Sequence, residues 1–415
     1  MKQFEAKQGL TWVDSLPVDW EVTKVKFISK VTPGATPKSS NSMFWDGDIP
    51  FVTPADYTTE DHYIEHWSKT ITNEGMDSCS TSLLPPNSVI VSNRAPIGLV
   101  ALNKVPVCTN QGCKGLIVKS SQYEPEFLYR VLTASEEALN ALGNGTTYQE
   151  LSGRALSDFV IPNPSLDIQR SIVAFLDSRC KPIDEAIARH RSIIGKLEDY
   201  RRAVISHTVS GDSHNLNSAH WTWKRFKFIA HVDSSLVEPD SYQNWLHISP
   251  ESIGKGNGRL LHTSTVSEDG VISGNHLFHK GAILYSKVRP RLNKVVIAPA
   301  EGLCSADMYP ISTSQFSEWL KYYMLSDQFV EQAGLVSDIR IKMPKINQQE
   351  LGDLKIFVPT RQDQLEIISQ LDYKCAAIDE GIDRQEQAIA KLEEYRRSLI
   401  FHAVTGRIDC AGGAR

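Results

Sequence analysis

Two nearly identical heptapeptides stand 195 positions apart in this sequence: Lys196-Leu197-Glu198-Asp199-Tyr200-Arg201-Arg202 and Lys391-Leu392-Glu393-Glu394-Tyr395-Arg396-Arg397. They lie within a longer match, because residues 156–211 align with residues 351–406 without a gap and 25 of the 56 aligned pairs are identical. A period near 200 residues is too long for a solenoid, whose units are roughly 20–50 residues long. The chain therefore consists of two related halves.

Each copy of the match carries a narrow apolar seam whose positions alternate in steps of four and three residues. The apolar seam residues are Ile183, Ile187, Ile194 and Leu197 in the first copy, and Ile378, Ile382, Ile389 and Leu392 in the second. A period of 3.5 residues is typical of a coiled coil. Because the seam occurs twice, we expect each helix to pair with the other, the first helix spanning about residues 183–209.

Polar and helix-breaking residues refine this prediction. His190 and Gln385 fall inside the seam, where a polar group fixes register, and we prefer this structural role for His190 to catalysis or metal binding. Gly211 and Gly406 supply the stop expected just after a helix end. Pro182 could begin a helical segment at its first turn, whereas Ala377 replaces it in the second copy, so a break near residue 182 stays open.

Composition limits the class of protein. The chain has 415 residues, a net charge of −5 and 41% hydrophobic residues, which is typical of a globular protein with two or more domains. Its apolar runs are too short to span a bilayer, and its first residues lack the apolar region of a secretory signal. Seven cysteines without a Cys-x-x-Cys motif favour a reducing cytoplasm. Net acidity excludes a uniformly basic nucleic-acid binder but allows local basic patches.

Before each repeat lies a globular module. The stretches Trp20–Ile28 and Trp221–Ile229 resemble each other and predict equivalent strands after an exposed lead-in at residues 1–20. The modules contain short β-branched runs between segments rich in Pro, Gly, Ser, Thr and Asn, which predicts β-rich domains with long loops. Residues 126–142 have a helical pattern. The loops of the two modules differ, and Ser286–Lys294 is the most basic of them, with four cations in nine residues.

At this point the pattern resembles the specificity subunits of type I restriction-modification systems. The matching motifs are Gly34-Ala35-Thr36-Pro37, Trp45-Asp46-Gly47-Asp48-Ile49-Pro50, Asn110-Gln111-Gly112, Ser286-Lys287-Val288-Arg289-Pro290, Leu292-Asn293-Lys294 and the repeated Lys-Leu-Glu-x-Tyr-Arg-Arg. The resemblance covers about residues 16–408. It implies an α+β fold in which two β-rich target-recognition domains are separated by two long antiparallel coiled-coil helices, with a pseudo-two-fold internal repeat.

The resemblance also implies a division of the chain and a set of partners. The expected segments are a first target-recognition domain (1–155), a central repeat helix (156–213), a second target-recognition domain (214–350), a distal repeat helix (351–410) and a tail (411–415). The expected partners are double-stranded DNA, two methyltransferase subunits and translocating restriction subunits, in a prokaryotic cytoplasm and without a membrane. S-adenosylmethionine and ATP would be bound by those partners, and this chain would hold no cofactor.

Loop residues with cationic or amide side chains are the candidates for DNA contact, since cations bind phosphates and amides or arginines reach base edges. They are Lys38, Ser40, Asn41, Arg94, Asn110, Gln111, Lys114, Thr147 and Tyr148 in the first module, and Lys287, Arg289, Arg291, Asn293, Lys294 and Arg340 in the second. Alternatives stay open: Asn110 and Gln111 could cap loops, Tyr148 could be core, and Arg289 could touch only phosphate. A helix of residues 183–209 would span about 40 Å, close to one DNA turn.

We predict no catalytic or metal-binding residues in this chain. Gly254-Lys255-Gly256-Asn257-Gly258 lacks the spacing of a phosphate-binding loop, and Asn163-Pro164-Ser165 lacks the second proline and the aromatic residue of an adenine methyltransferase motif. The acidic residues between 56 and 65 are more typical of a solvated loop than of a metal nuclease. A protein scaffold without DNA contact and a stand-alone nuclease are the rival functions; the basic loop argues against the first.

Overall fold

The short β-branched runs form strands, and the two repeats form the longest helices. A computed structural model describes residues 3–59, 61–143, 149–211, 218–340 and 342–410. The chain divides into two compact units: unit 1 comprises residues 1–188 and 390–415, and unit 2 comprises residues 189–389. Each unit therefore contains one globular module together with a part of both long helices.

Unit 1 contains the first module. Its strands are β1 (Phe4–Glu5), β2 (Leu16–Pro17), β3 (Glu21–Lys24), β4 (Ser29–Pro33), β5 (Trp45–Val52), β6 (Tyr63–Ile64), β7 (Lys69–Ile71), β8 (Val89–Ser92), β9 (Val100–Asn103), β10 (Cys108–Thr109), β11 (Cys113–Val118) and β12 (Val160–Asn163). Its helices are α1 (Val25–Ile28), α2 (Asn73–Asp77), α3 (Pro125–Ala134), α4 (Glu136–Ala141) and α5 (Gly153–Asp158), with 3₁₀ turns at Ser42–Phe44 and Pro54–Asp56. The first long helix, α6 (Leu166–Val209), begins in this unit.

The main sheet of unit 1 has five strands in the order β4-β11-β8-β9-β6. Strand β11 runs antiparallel to both β4 and β8, so the end of β4, the end of β8 and the start of β11 lie at one edge. Every residue of β8 is buried, which explains its unbroken apolar run rather than an alternating one. A second sheet has the order β10-β5-β7.

Unit 2 repeats this plan. Its strands are β13 (Thr222–Arg225), β14 (Ala230–Val232), β15 (Leu236–Val237), β16 (Leu246–Ile248), β17 (Ser264–Thr265), β18 (Asn275–Phe278), β19 (Ile283–Ser286), β20 (Val295–Ile297), β21 (Gly302–Cys304), β22 (Met308–Thr313) and β23 (Lys355–Val358). Its helices are α7 (Ser317–Leu325), α8 (Asp327–Ser337), α9 (Gln348–Asp353) and the long α10 (Arg361–Val404), with 3₁₀ turns at Ser218–His220, Phe226–Phe228, Pro239–Tyr242, Pro250–Ser252 and Pro290–Leu292.

The central sheet of unit 2 has the order β14-β22-β19-β20, which matches β4-β11-β8-β9 of unit 1 strand for strand. A second sheet has the order β15-β18-β21-β16-β17. The core of the unit is aromatic: Trp319, Tyr323, Phe329 and Tyr285 are all fully buried. The two halves therefore share a sheet topology although their loops differ.

The long helices are longer than the predicted span of residues 183–209. Helices α6 and α10 have 44 residues each, and α6 continues through Pro182 without a break. Pro182 lies on the exposed side of α6, while the next residue, Ile183, is buried. Burial of the apolar side of the helix thus outweighs the one backbone hydrogen bond that proline removes. Gly211 and Gly406 follow the helix ends with φ values of +82° and +71°.

Three local predictions were wrong. The predicted strands at Trp20 and Trp221 stop after four residues, and a single helical turn follows each of them. The predicted exposed lead-in is partly core, because Leu16 and Trp20 are buried. The helix predicted for residues 126–142 is interrupted at Ser135, whose hydroxyl donates to the carbonyl oxygen of Val131. In the part of the chain that the structure describes, no helix has the length and apolar character needed to cross a membrane.

Candidate nucleic-acid interface

Three loops of unit 1 meet at one edge of the main sheet. They are the loop after β4, the loop after β8 and the loop before β11, because β11 pairs Lys114 with Pro33 and Cys113 with Ser92. The amide of Asn93 donates to the carbonyl oxygen of Gly112 over 2.9 Å. We call these loops, residues 34–41, 93–98 and 109–112, the first loop cluster.

Direct hydrogen bonds hold the first loop cluster together. The amide of Ala35 donates to the carbonyl oxygen of Thr109 over 3.0 Å, and the Thr36 hydroxyl donates to the side-chain oxygen of Gln111. A Cβ atom at Gly34 would overlap the carbonyl oxygen of Asn110, so only glycine fits there. The motif Gly-Ala-Thr-Pro therefore serves the close approach of two loops.

The predicted DNA-contacting side chains of unit 1 fall into two groups. Lys38, Ser40 and Gln111 are exposed at the surface of the loops. Asn41 and Asn110 instead cap their own loops: Asn41 accepts from the amide of Met43 over 3.2 Å, and Asn110 accepts from the amide of Gly112 over 2.9 Å.

Two cations near the same edge, Arg94 and Lys114, differ in their contacts and burial. Arg94 donates to Glu150 over 3.2 Å, and Asn93 donates to the same carboxylate over 2.9 Å. Lys114 is half-buried on β11. Thr147 and Tyr148 lie outside the described residues.

Unit 2 forms an equivalent cluster at the same edge of its sheet. The amide of Lys287 donates to the carbonyl oxygen of Asp307 over 3.0 Å. The amide of Arg289 donates to the carbonyl oxygen of Pro344 over 2.7 Å. The amide of Ile346 donates back to the carbonyl oxygen of Lys287 over 3.0 Å. We call residues 287–294, 305–307 and 337–346 the second loop cluster, within the described ranges.

Most cations of the second loop cluster are already engaged. Four are bound by oxygen atoms: Arg291 pairs with Asp338 at 2.6 Å, Arg340 with Glu350 at 2.7 Å and Lys345 with Asp307 at 3.0 Å, and Lys294 donates to the carbonyl oxygen of Pro250. The ammonium of Lys287 lies 5.2 Å from the ring centroid of Tyr309. These contacts limit the number of side chains that can turn toward a phosphate.

Arg289 is the exception within residues 287–294. Its side chain is exposed, and none of the described residues forms a hydrogen bond or an ion pair with the guanidinium. Its backbone is left-handed, with φ of +50°, as is that of Asn293, with φ of +45°. The side chain of Asn293 is buried, so it supports the loop instead of facing outward. Because a left-handed non-glycine residue is uncommon, this backbone is typical of a functional loop.

Sequence reasoning missed Lys255 as a candidate. The Gly254–Gly258 segment forms the tip of a hairpin closed by a bridge between Ile253 and Leu260. The amide of Gly256 donates to the carbonyl oxygen of Asn293 over 3.0 Å, so the tip adjoins the basic loop. Lys255 is exposed at this tip. The flanking glycines were the available signal, but they were compared only with a phosphate-binding loop.

The helix seam is polar at its centre and ionic on either side. In unit 2, His190 contacts Gln385 at 2.7 Å, and Arg201 pairs with Asp379. In unit 1, Arg396 pairs with Asp184 at 2.7 Å. Burial lowers the pKa of Arg201, whereas Asp184 raises the pKa of Arg396 against the effect of its burial.

The predicted apolar seam residues differ in burial. Ile183, Ile187, Ile378 and Ile382 are buried, whereas Ile194, Leu197, Ile389 and Leu392 are half-buried. The half-buried residues leave part of each helix uncovered in this chain. The seam assignment stays a prediction.

A group of side chains around the buried His247, outside the loop clusters, has the residue types of a hydrolase. His247 lies 2.5 Å from Asp269, and Ser264 donates to the same carboxylate over 2.7 Å. A nucleophilic serine must instead bond to the histidine that takes its proton. The second nitrogen of His247 faces Asn275 at 3.2 Å. The group therefore links the loop after β17 to the core and does not form a base–nucleophile pair.

Comparisons with known proteins show which proteins this chain resembles. Residues 17–193 match the model of the type I restriction modification DNA specificity domain. The EcoDI specificity subunit of Escherichia coli is 28% identical over 421 residues, covering 95% of this chain and 89% of that protein. The MjaIX specificity subunit of Methanocaldococcus jannaschii is 36% identical over 177 residues, covering 42% of this chain and 41% of that protein.

A solved structure shows the same fold. A chain from a structural study of complex assembly and conformational transition of the type I R-M system superposes with a TM-score of 0.63 at 17% identity, covering 95% of this chain and 99% of that chain. The predicted α+β fold with two long repeat helices is confirmed. This chain is similar to the specificity subunits of type I restriction-modification systems over 95% of its length. Together with the DNA specificity domain matched at residues 17–193, this similarity supports a DNA-recognition subunit of such a system.

Proposed function

We propose that the two modules read two different half-sites of one double-stranded DNA target, and that the chain positions two methyltransferase subunits on it. The observation that carries this proposal is the pair of loop clusters at the same edge of equivalent sheets. The loops have different sequences, while the strands β4, β11 and β8 have equivalents in β14, β22 and β19. Equivalent positions with unlike side chains suit an asymmetric, bipartite site.

The side chains available in each cluster support direct readout. Arg289 is exposed in the second cluster and can reach a guanine edge or a phosphate, whereas Gln111, Lys38 and Ser40 are exposed in the first. The proposed domain division follows: residues 1–155 and 214–350 bind DNA, while 156–213 and 351–410 bind partners.

Catalysis is proposed to lie in the partners. Specificity subunits carry no cofactor of their own, so S-adenosylmethionine is bound by the methyltransferase subunits and ATP by translocating restriction subunits. We place the assembly in the prokaryotic cytoplasm, which agrees with the buried free thiols of Cys180 and Cys375 at equivalent positions of the repeat.

Methylation-site sequencing tests the proposal. The chain assembled with the methyltransferase subunits of the same system is expected to modify one asymmetric bipartite sequence with an unread spacer. The purified chain with labelled S-adenosylmethionine is expected to transfer no label to DNA. Methylation by the chain alone, or modification of a single continuous site, would contradict the proposal.

A further inference from the structure

An exposed phenylalanine lies in the single helical turn that follows strand β3 in unit 1 and strand β13 in unit 2. We call these turns, residues 25–28 and 226–228, the corners of the two units. In unit 1, Phe27 follows strand β3 in the single turn of helix α1, and its side chain is 70% exposed. The corner is fixed by a hydrogen bond from the amide of Val25 to the carbonyl oxygen of Phe159, 3.0 Å long. The ammonium of Lys26 lies 5.4 Å from the centre of the Phe27 ring.

Unit 2 builds this corner again. Phe228 follows strand β13 in a single 3₁₀ turn, and its side chain is also 70% exposed. The amide of Phe226 donates to the carbonyl oxygen of Leu354 over 2.8 Å, which is the equivalent bond. The ammonium of Lys227 lies 5.9 Å from the centre of the Phe228 ring.

The ion pairs beside the two rings also match, although β23 adds Lys355 opposite Arg225 where β12 has Val160 opposite Lys24. Asp158, the last residue of α5, pairs with Lys26 at 2.7 Å and with Lys24 at 3.6 Å. Asp353, the last residue of α9, pairs with Lys227 at 2.8 Å and with Arg225 at 3.4 Å. Each corner thus presents an apolar ring beside two cations that pair with one carboxylate.

The corners around Phe27 and Phe228 are alike, whereas the loop clusters that are proposed to read DNA sequence are not. The loop clusters differ between the units, as expected of surfaces that recognise different half-sites. The corners agree in exposure, in the anchoring backbone hydrogen bond and in ion pairs, although the turn is α-helical in unit 1 and 3₁₀ in unit 2. Single exposed apolar residues are ordinary on protein surfaces, and one such phenylalanine would carry no argument. Two rings with matching surroundings indicate one kind of occupant that is bound twice.

We propose that Phe27 and Phe228 are the centres of two equivalent docking sites, each for one methyltransferase subunit, in addition to any contact along the helices. The inference rests on the proposed function, which requires two copies of that partner. Charge complementarity defines the partner surface: an apolar pocket for the ring with an acidic rim facing Lys26 or Lys227. DNA is a poorer occupant, because in each corner one carboxylate, Asp158 or Asp353, already pairs with both cations.

Serine substitutions test the sites in the full chain. We expect Phe27→Ser and Phe228→Ser each to weaken binding of one of two methyltransferase copies by roughly tenfold, and the double variant to weaken both. Native mass spectrometry gives the number of copies bound, and titration gives the dissociation constants. Because both rings are exposed, the thermal unfolding midpoints should stay unchanged. Ile272→Ser is the matched control, since Ile272 is 93% exposed and lies elsewhere in unit 2.

Three results would overturn the inference. They are binding of two copies by the double variant with the affinity of the parent, an equal loss in the Ile272→Ser control, and a changed oligomeric state of the isolated chain. The last result would assign the corners to a second copy of this chain. Methylation-site sequencing of the parent complex tests the proposed function separately. If the parent complex does not methylate a bipartite target, that function is contradicted, whatever the corners bind.

Discussion

The Nδ1 atom of His190 lies 2.7 Å from the side-chain oxygen of Gln385. These two residues occupy the same position of the two repeats, 195 residues apart. An antiparallel pair brings a residue against its own repeat equivalent at one place only, so this contact defines the register of the helices within unit 2. A shift by one turn would leave both polar groups facing apolar side chains, which supports the predicted role of His190 in register.

Pro182 gives a test of the continuous helix. Replacing it by alanine restores the amide that proline lacks, and Ala377 already occupies the equivalent position of the second repeat. We expect Pro182→Ala to raise the free energy of unfolding by about 1–3 kcal/mol. Urea denaturation measures the change. The reverse substitution, Ala377→Pro, is the matched control and should destabilise by a similar amount; a destabilising Pro182→Ala would show that the helix needs the proline.

Asp379 gives a test of the ionic seam in unit 2. Its partner Arg201 is 3% exposed, and removal of the carboxylate charge leaves that guanidinium buried without compensation. We expect Asp379→Asn to lower the free energy of unfolding by several kcal/mol, about 3–5. Glu380→Gln serves as the control, because Glu380 is 71% exposed and pairs with Arg384 on the same helix. Equal effects of the two substitutions would argue against a buried pair.

The helices were more predictable than the loops for a physical reason. Ile183 and Ile378 belong to a periodic pattern that is local in the sequence, so the spacing alone predicts that they are buried. Arg289, Arg291 and Arg340 look alike in the sequence. Only the fold brings Asp338 to one of them and Glu350 to another, and such pairings depend on segments that periodicity does not connect.

Contacts between segments far apart in the sequence, and the roles of single loop residues, were the least predictable part. Trp12 was assigned to an exposed lead-in, yet its ring packs edge-on against Phe401, 6.1 Å between centroids. No short-range pattern announces a contact between residues so distant in sequence. The capping role of Asn110 was one of two alternatives, and its bond to the amide of Gly112 supports the structural one without excluding a base contact by its amide.

Gly34 links fold and recognition in the first loop cluster. A side chain there would overlap the carbonyl oxygen of Asn110, so Gly34→Ala must push apart the loops that carry Lys38 and Gln111. We expect the variant complex to lose discrimination at the first half-site and to keep it at the second. Methylation-site sequencing distinguishes the two. Gly153→Ala is the control, because no atom lies within 4 Å of a Cβ added there.

Arg289 tests the division of labour between the modules. In the assembled methyltransferase, Arg289→Ala is expected to relax one position of the second half-site by roughly 1–3 kcal/mol, while Gln111→Ala acts on the first half-site only. Arg291→Ala is the matched control, since its guanidinium is held by Asp338 at 2.6 Å. Altered preference in both half-sites from either Arg289→Ala or Gln111→Ala would contradict the division.

The pair of Arg340 and Glu350 predicts a pH dependence. The hydrogen bond from Arg340 holds the pKa of the Glu350 carboxyl below its ordinary value. A carboxyl whose pKa is lower in the folded protein stabilises the fold at pH values above its pKa in the unfolded chain, about 4.3. This stabilisation is lost as the pH falls through the pKa of the folded protein. Glu350→Gln should therefore destabilise at pH 7 and differ less from the parent in acid. Unfolding midpoints measured between neutral and acid pH check this; a constant difference would refute it.

The division of the long helices between the units has a consequence for how the chain is made. Unit 2 is one continuous segment, residues 189–389, and its parts are all synthesised before residue 390. Unit 1 cannot pack Trp12 against Phe401 until the last part of α10 has emerged from the ribosome. The first module is therefore translated early but completed late, and its uncovered apolar surface must be protected while the second half of the chain is being synthesised.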